Sequence, residues 1–265
     1  MIYEAGVRRF GRVNWLGTWT LAEREVRRFF NVWTQTVLGP VITAGLFLVI
    51  FSIAIGPGRP DVMGVSYITF LVPGLLTMTV IQNAFANTSS SMASAKVQGN
   101  IVDTLMPPLS AGEILAGYLA GGVARGLVVA VVIGLGAALF LGMGLAEPFW
   151  ALAFVVLGAV LMGGLGLIAG IYAQKFDQLA AVTNFVITPL AFLSGTFYSL
   201  EAMPEFLRVL SLANPIFYVI DGVRHGVLGV SDASPWLGLV VVAVSATAVA
   251  AVAWRWLDRG YRLKA

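Results

Sequence analysis

Few side chains in this sequence could carry out chemistry, and their spacing does not fit the common catalytic sites. Ser194-Gly195 and the single histidine, His225, could suggest a serine hydrolase, but no G-x-S-x-G turn surrounds Ser194. The letters Gly164-x-Gly166-x-x-Ala169 match a dinucleotide-binding fingerprint, yet they lie inside a continuous apolar run with no preceding strand. Helix packing explains these glycines more simply. The sequence therefore predicts no catalytic residue.

The sequence also lacks a phosphate-binding loop and the cysteines of a thiolate metal site. No glycine is followed by lysine, so the phosphate-binding loop G-x-x-x-x-G-K-[ST] does not occur. The chain contains no cysteine, which removes thiolate metal sites and disulfides. We predict that this chain itself binds neither a nucleotide cofactor nor a metal ion.

One charged residue, Arg125, lies deep within an apolar run. An unpaired arginine at the centre of a membrane helix costs about 2.5–3.5 kcal/mol, so its side chain must face protein or water. Two interpretations remain open: Arg125 lines a path for an anionic substrate, or it pairs with a carbonyl or acid of a neighbouring helix. The acidic residues all fall at or outside the ends of the apolar runs, which disfavours a proton- or sodium-coupled carrier.

Composition places the chain in a membrane. It has 58% hydrophobic and only 11% charged residues and a mean hydropathy of +0.89, whereas soluble domains carry about 25% charged residues. Because about 20 apolar residues in a helix cross the hydrocarbon core, six runs qualify. They are 32–55, 67–92, 114–145, 148–174, 178–200 and 236–254. We predict an all-α integral membrane protein with six transmembrane helices in a single domain, 1–265. Gly117-x-x-x-Gly121 and Gly122-x-x-x-Gly126 predict close helix contacts.

The distribution of Lys and Arg predicts that both termini are cytoplasmic. Six spans place both termini on one side, and loops on the cytoplasmic side are enriched in these residues. That side would hold Arg8, Arg9, Arg12, Arg24, Arg27, Arg28, Lys96, Lys175, Arg255, Arg259, Arg262 and Lys264, against Arg59, Arg208 and Arg224 outside. The segment between the second and third spans is then cytoplasmic as well.

An amphipathic helix is predicted before the first span, over residues 12–31. Its apolar residues recur at spacings of three and four, with charged residues opposite. They are Trp15, Trp19, Ala22, Val26, Phe29 and Trp33, with Glu23, Arg24, Arg27 and Asn31 on the other side. Such a helix lies in the membrane interface. It is either an anchor or a lever that senses a cytoplasmic partner.

Residues 201–235, before the last span, predict an external cap. The apolar run 209–220 is too short to cross, and Pro204 and Pro215 break helices there. Two short helices that enter the outer leaflet and return satisfy both constraints. Asp221 and His225, four residues apart, predict an interfacial pair within this cap, which is a simpler interpretation than a proton relay.

The cytoplasmic sequence KVQGNIVDTLMPPLSAGEIL, residues 96–115, predicts a short helix lying along the membrane surface. Pro107-Pro108 and Gly112 break the chain before the third span, so the helix would occupy residues 96–106. Ile101, Val102, Leu105 and Met106 give one apolar ridge, edged by Lys96, Gln98, Asn100 and Asp103. The ridge packs either on the chain's own cytoplasmic ends or in a groove of a partner protein.

This order of elements resembles the permease subunit of a type-2 ATP-binding cassette exporter. Gly99 followed by Asp103-Thr104-Leu105-Met106-Pro107-Pro108 resembles the family's coupling segment. Pro189, the Phe192–Gly195 stretch FLSG, Met203-Pro204, Asn214-Pro215, Tyr218 and Arg224 resemble its fifth-span and cap pattern. The resemblance implies that Lys96, Gly99, Ile101, Val102, Asp103, Leu105 and Met106 dock on an ATPase. It also implies an external cap containing Pro204, Asn214, Pro215, Tyr218, Asp221, Arg224 and His225.

The resemblance further implies an inner-membrane subunit of an ATP-driven exporter. Two copies of a separate subunit would bind ATP, and a second copy of the permease or a close relative would complete the substrate path. The remaining contacts would be with membrane lipid and not with nucleic acid. A secondary carrier without ATP and a membrane scaffold without transport are the alternatives. Lipid, glycan and drug exporters share this architecture, so the sequence predicts no particular substrate.

Overall fold

The computed structural model describes residues 11, 13–54 and 60–263, and this part of the chain is almost entirely helical. In chain order the helices are α1 (Trp15–Phe30), α2 (Thr34–Ala54), α3 (Tyr67–Val97), α4 (Ile101–Leu105), α5 (Ala111–Leu141), α6 (Pro148–Tyr172), α7 (Phe176–Leu193), α8 (Glu205–Ala213), α9 (Pro215–Leu228) and α10 (Pro235–Asp258). Six of them, α2, α3, α5, α6, α7 and α10, are long and apolar enough to cross a membrane. The predicted all-α architecture with six spans is confirmed.

Helices α3 and α6 form the centre of the bundle, and they are the two spans with the most buried residues. Glycines allow their backbones to approach closely. A side chain at Gly166 would collide with the carbonyl oxygen of Phe85, and one at Gly170 would lie 2.8 Å from that of Ser89. The Thr88 hydroxyl also donates to the carbonyl of Gly163 at 2.7 Å. The apparent dinucleotide fingerprint is therefore a helix-packing surface, as predicted.

The other spans surround this pair and leave much of their surface exposed. Helix α5 packs on α3 and α6, α10 packs on α6, and α2 packs on α3. In α2 and α7 most residues are exposed, and each helix contains a π-helical turn, at Thr34–Leu38 and Thr183–Ile187. Such turns often occur at functional sites in membrane and soluble helices.

Local sequence explains where several spans begin and end. Ser110 and Glu113 form a reciprocal capping box at the start of α5, with the Ser110 side chain accepting from the Glu113 amide. Gly142, in the left-handed conformation, ends the same helix, four residues sooner than the predicted boundary at 145. Helix α7 ends at Leu193 and not at 200, because the chain turns at Gly195, where φ is +75°.

The predicted cytoplasmic helix over 96–106 is wrong in its extent. Helix α3 continues through Lys96 to Val97, the chain turns over residues 98–100, and α4 covers only Ile101–Leu105. Gly99 lies in this turn with φ at +76°, a conformation that disfavours any residue with a side chain. The glycine thus breaks what would otherwise be one continuous helix.

Before the last span the chain forms the two short helices that were predicted. Helices α8 and α9 meet at Asn214 with an angle of 88°. Pro215 occupies the first turn of α9, where its missing amide hydrogen costs nothing. The basic residues Arg8, Arg9, Arg12, Arg59 and Lys264, used to predict the orientation, lie outside the described residues, as does the predicted start of the first amphipathic helix at residue 12.

The topology can be tested with single cysteines, because the chain has none of its own. We expect Glu205→Cys, at the start of α8, and Ser231→Cys, after α9, both to react with a membrane-impermeant thiol reagent applied from outside. The control Asp103→Cys, exposed on α4, should react only after the membrane is permeabilised. External labelling at only one of the two cap positions would mean that the α8–α9 pair crosses the membrane.

Candidate functional site

Helix α4 has one face turned into the protein and one turned outward. Ile101 and Thr104 are buried, with Ile101 in a small apolar cluster together with Tyr118 of α5 and Leu167 of α6. The remaining apolar side chains are exposed: Val102 is 50%, Leu105 40% and Met106 78% accessible. Of the two interpretations of the ridge, each therefore holds for part of it. Ile101 packs against α5 and α6 of the same chain, and Val102, Leu105 and Met106 form an apolar surface that no described residue covers.

Lys96 and Gly99 take part in the site differently from each other. The Lys96 ammonium donates to the carbonyls of Gly170, Ile171 and Ala173 (2.8 Å for the last) at the end of α6. A cation at a helix C-terminus satisfies carbonyls that the helix leaves free and interacts well with its dipole. Lys96 thus holds α3 to α6, and Gly99 forms the turn that aims α4 along the surface.

Helix α1 packs closely on α5 through a buried face of which only Phe29 belongs to the predicted apolar set. Leu21, Glu25 and Phe29 are its buried residues, whereas Trp15 and Trp19 are exposed on the other side. Glycines of α5 make room for them: a side chain at Gly117 would lie 2.6 Å from Leu21. The predicted Gly117-x-x-x-Gly121 packing surface therefore receives α1. The sequence does contain a signal for this buried face, because Leu21, Glu25 and Phe29 follow one another at intervals of four residues. The glutamate in the middle position makes the same face read as polar.

Glu25 is a fully buried carboxylate on this packing face, with 0% of its side chain exposed. One oxygen accepts from the Ser91 hydroxyl at 2.8 Å and from the Arg24 guanidinium at 3.2 Å. The other lies 3.4 Å from Nε of Arg28, whose terminal nitrogen donates to the backbone and side chain of Asn87. Because a buried charge is stable only when it is paired and hydrogen-bonded, these contacts hold α1 against α3.

An open cavity of about 620 Å³ lies between α1, the end of α3 and α4. Its walls carry both positive and negative side chains, among them Arg24, Arg27, Glu23 and Asp103. Arg27 pairs with Glu23 on its own helix, and the Arg27 side chain is exposed. The cavity separates the backbones of α1 and α4, so contacts between these two helices are made by side chains that extend across it.

Arg125 is enclosed within the bundle. It is 8% exposed, and Nε and Nη2 both donate to the Asn83 side-chain oxygen of α3, at 3.1 and 2.7 Å. The Asn83 amide in turn donates to the carbonyl of Thr79. Of the two sequence interpretations, the structure favours pairing with a neighbouring helix, although the partner is an amide and neither an acid nor a backbone carbonyl.

The external cap is held to α7 by Asn214. Its side-chain nitrogen donates to the carbonyl of Leu190 and to the Ser194 hydroxyl at 2.8 Å, and its oxygen accepts from the Ile216 amide. Ser194 is thus part of this hydrogen-bond network. The Tyr218 hydroxyl, also in the cap, donates to the carbonyl of Leu212, and Pro204 precedes the first residue of α8.

A buried charge cluster lies beneath the cap. Arg224 is completely buried, lies over the Phe70 ring at 4.1 Å and donates to the carbonyl of Gly195 at 2.6 Å. It lies 3.5 Å from the Asp221 carboxylate and 3.8 Å from that of Asp232. Burial raises the pKa of the Asp232 carboxyl, and the positive charge of Arg224 opposes that rise. These contacts connect the cap to the first turn of α3, which contains Phe70.

The predicted pair between Asp221 and His225 is wrong. The Asp221 carboxylate accepts hydrogen bonds from the backbone amides of Asp232 and Ala233, at 2.8 and 2.9 Å, in addition to facing Arg224. The His225 ring instead lies edge-on to Trp150, and its Nδ1 makes no hydrogen bond within the described residues. The loop that follows α9 returns over Asp221 and replaces the expected histidine.

Comparison with known proteins agrees with this architecture. Residues 17–228 match the family model described as ABC-2 type transporter. The chain is 39% identical to the inner membrane transport permease YadH of Escherichia coli (strain K12) over 250 residues, 94% of this chain and 98% of that protein. It is 25% identical to nodulation protein J of Rhizobium leguminosarum bv. viciae over 240 residues, 88% and 90% of the two chains. With its six candidate spans, this chain belongs to the ABC-2 type transporter family as a membrane subunit of permease type.

Proposed function

We propose that this chain is the membrane-spanning subunit of an ATP-driven exporter of the inner membrane, which dimerises to form the substrate path and binds two copies of a separate ATP-binding subunit. The exposed apolar surface of α4 is the observation that carries the proposal. Val102, Leu105 and Met106 project from a short helix that is anchored to the bundle by Ile101. An apolar surface of this kind fits a groove of a partner, with the side chains as anchors.

The sequence and the family agree with a permease that depends on a separate ATP-binding subunit. The chain has no phosphate-binding loop, and ABC-2 permeases are in general paired with an ABC ATP-binding partner. The name of the Escherichia coli relative describes an inner membrane transport permease, which supports both the transport activity and the location that we propose. In this scheme the termini are cytoplasmic, on the side of α4.

A secondary carrier is the weaker alternative. The acidic residues that fall within the six spans lie in their first or last turns: Glu113 in α5, Asp177 in α7 and Asp258 in α10. An ion-coupled carrier usually places a carboxylate near the midplane. The described spans offer none there, which supports an energy source outside the membrane domain.

The exposed faces of α2 and α7 support a dimer. Asn184 lies at the midpoint of α7 and is exposed in the single chain, within a π-helical turn. Polar side chains within spans almost always face other protein or a water-filled path, because hydrocarbon cannot satisfy them. We propose that a second copy covers this face and that the substrate path runs along it.

Our prediction for the docking surface is that Leu105→Asp leaves the permease inserted but prevents it from binding its ATPase. Replacing an apolar anchor with a charge should remove about 2–4 kcal/mol of docking energy, or roughly 30- to 1000-fold in affinity. Co-purification and titration with the ATPase measure the effect. Asn100→Asp is the control, because it introduces the same charge five residues earlier, at an exposed position in the turn before α4 and not among its apolar side chains. Normal affinity in Leu105→Asp would exclude α4 as the docking element.

The proposed dimer predicts a specific cross-link. Asn184→Cys should form a disulfide between two copies under mild oxidation, since a two-fold interface brings equivalent residues near its axis together. Leu139→Cys, 80% exposed on α5, serves as the control and should stay monomeric on a non-reducing gel. Equal cross-linking at both positions would indicate random collision, and cross-linking at Leu139 alone would place the interface elsewhere.

Arg125 is expected to be structural and not part of the substrate path. Arg125→Ala leaves the buried Asn83 oxygen without a donor, which costs about 1–3 kcal/mol, so the purified permease should unfold at a lower temperature. Arg125→Lys retains a donor and should restore part of the stability, whereas Leu139→Ala on the exposed side of α5 should change little. A parent-like unfolding temperature for Arg125→Ala would return Arg125 to the candidates for substrate contact.

A further inference from the structure

The backbone connections of α4 are poorly suited to transmitting a push from a docked partner. On one side, the turn over residues 98–100 depends on Gly99 in the left-handed conformation. On the other side, Pro107-Pro108 form an irregular bend before Ser110 caps α5. Neither connection continues a helix, so the backbone alone would transmit little of a tilt of α4 to α3 or α5. Contacts between side chains must therefore carry most of any movement.

Arg24 of α1 supplies such a contact. Its Nη1 donates to the Thr104 hydroxyl at 3.1 Å, and Thr104 lies on the buried face of α4. Its Nη2 donates to Glu25 at 3.2 Å and to the Tyr118 hydroxyl of α5 at 3.4 Å. A single planar guanidinium thus joins α4 to α1 and α5, and its fork geometry fixes the direction of each contact.

A second contact joins α1 to the far end of the same segment. The Asn14 amide, at the start of α1, donates to the Glu113 carboxylate at 2.7 Å, and the Asn14 side chain donates to the carbonyl of Pro108 at 3.5 Å. Glu113 also accepts from the Ser110 amide at 2.6 Å in the capping box of α5. Helix α1 therefore touches the chain on both sides of the bend that follows α4.

The position of α1 itself is fixed by the bundle. Leu21 lies against Gly117 of α5, and Glu25 and Arg28 bond to Ser91 and Asn87 of α3. These are packed and buried contacts, so α1 moves only together with the cytoplasmic ends of α3 and α5. Interiors of this density transmit displacement and do not absorb it.

We propose that Arg24 is a positioning residue that transfers movement of α4 to α1, and through α1 to α3 and α5. This inference rests on the proposed function, in which an ATPase docks on α4. It gives α1 the role of a lever and not only of a membrane anchor. An equilibrium between two states of the spans shifts only if the partner interacts differently with each state. In this proposal the Thr104–Arg24 contact transmits the effect of the docked ATPase from α4 to α1.

The test uses the permease bound to its ATPase in lipid nanodiscs, with hydrogen exchange followed by mass spectrometry with ADP and with a non-hydrolysable ATP analogue. In the parent complex we expect the analogue to change exchange both in α4 and in residues 15–30 of α1. In Thr104→Val, which keeps the shape of the residue but removes the acceptor, and in Arg24→Ala, the change in α4 should remain and the change in α1 should be lost. Arg27→Ala, on the exposed side of the same helix, should behave as the parent does.

Each other result decides against the inference. A nucleotide-dependent change in α1 that persists in Thr104→Val and Arg24→Ala would show that the ATPase acts on α1 directly. Loss of ATPase binding in these variants would make Arg24 a docking residue. An α1 that does not respond to nucleotide in the parent complex would exclude it from coupling. A parent chain that binds no ATPase at all would overturn the proposed function itself, which co-purification detects before any exchange is measured.

Discussion

The close approach of α3 and α6 is the constraint on which the rest of the structure depends. In hydrocarbon, helices gain little by burying apolar surface against one another, so association relies on close packing and on a few polar contacts. Gly166 and Gly170 bring the two backbones together, and the Thr88 hydroxyl donates to a carbonyl of α6. The remaining spans, α1 and the cap helix α9 pack around this pair.

Much of this fold could be predicted from the sequence, because span length and apolar composition depend on the thickness of the membrane and on little else. The number of spans and the helix pair interrupted by Pro215 followed from these quantities. The helix ends followed less well. Gly142 and Gly195 end spans inside apolar runs, and only their left-handed backbone conformation, which composition does not reveal, shows this.

The polar contacts were harder to predict, because each depends on which helix lies opposite. Lys96 was expected on the docking surface but caps α6, and Glu25 was not recognised at all although it is fully buried. A charged residue on an amphipathic helix normally indicates its solvated face. Here the opposing surface is polar, with Ser91 and Asn87 of α3, so the buried face of α1 carries a charge. Sequence periodicity alone cannot distinguish these two cases.

Helix α3 relates the two ends of the molecule. With 31 residues it is about 46 Å long at 1.5 Å per residue. Near its first residue, Phe70 lies beneath the buried Arg224 of the cap, and near its last residue Lys96 caps α6. Between them, Asn83 holds Arg125 of α5, and Asn87 holds Arg28 of α1. Because these contacts belong to one continuous helix, α3 joins the cap, α5, α6 and α1 in one packed unit.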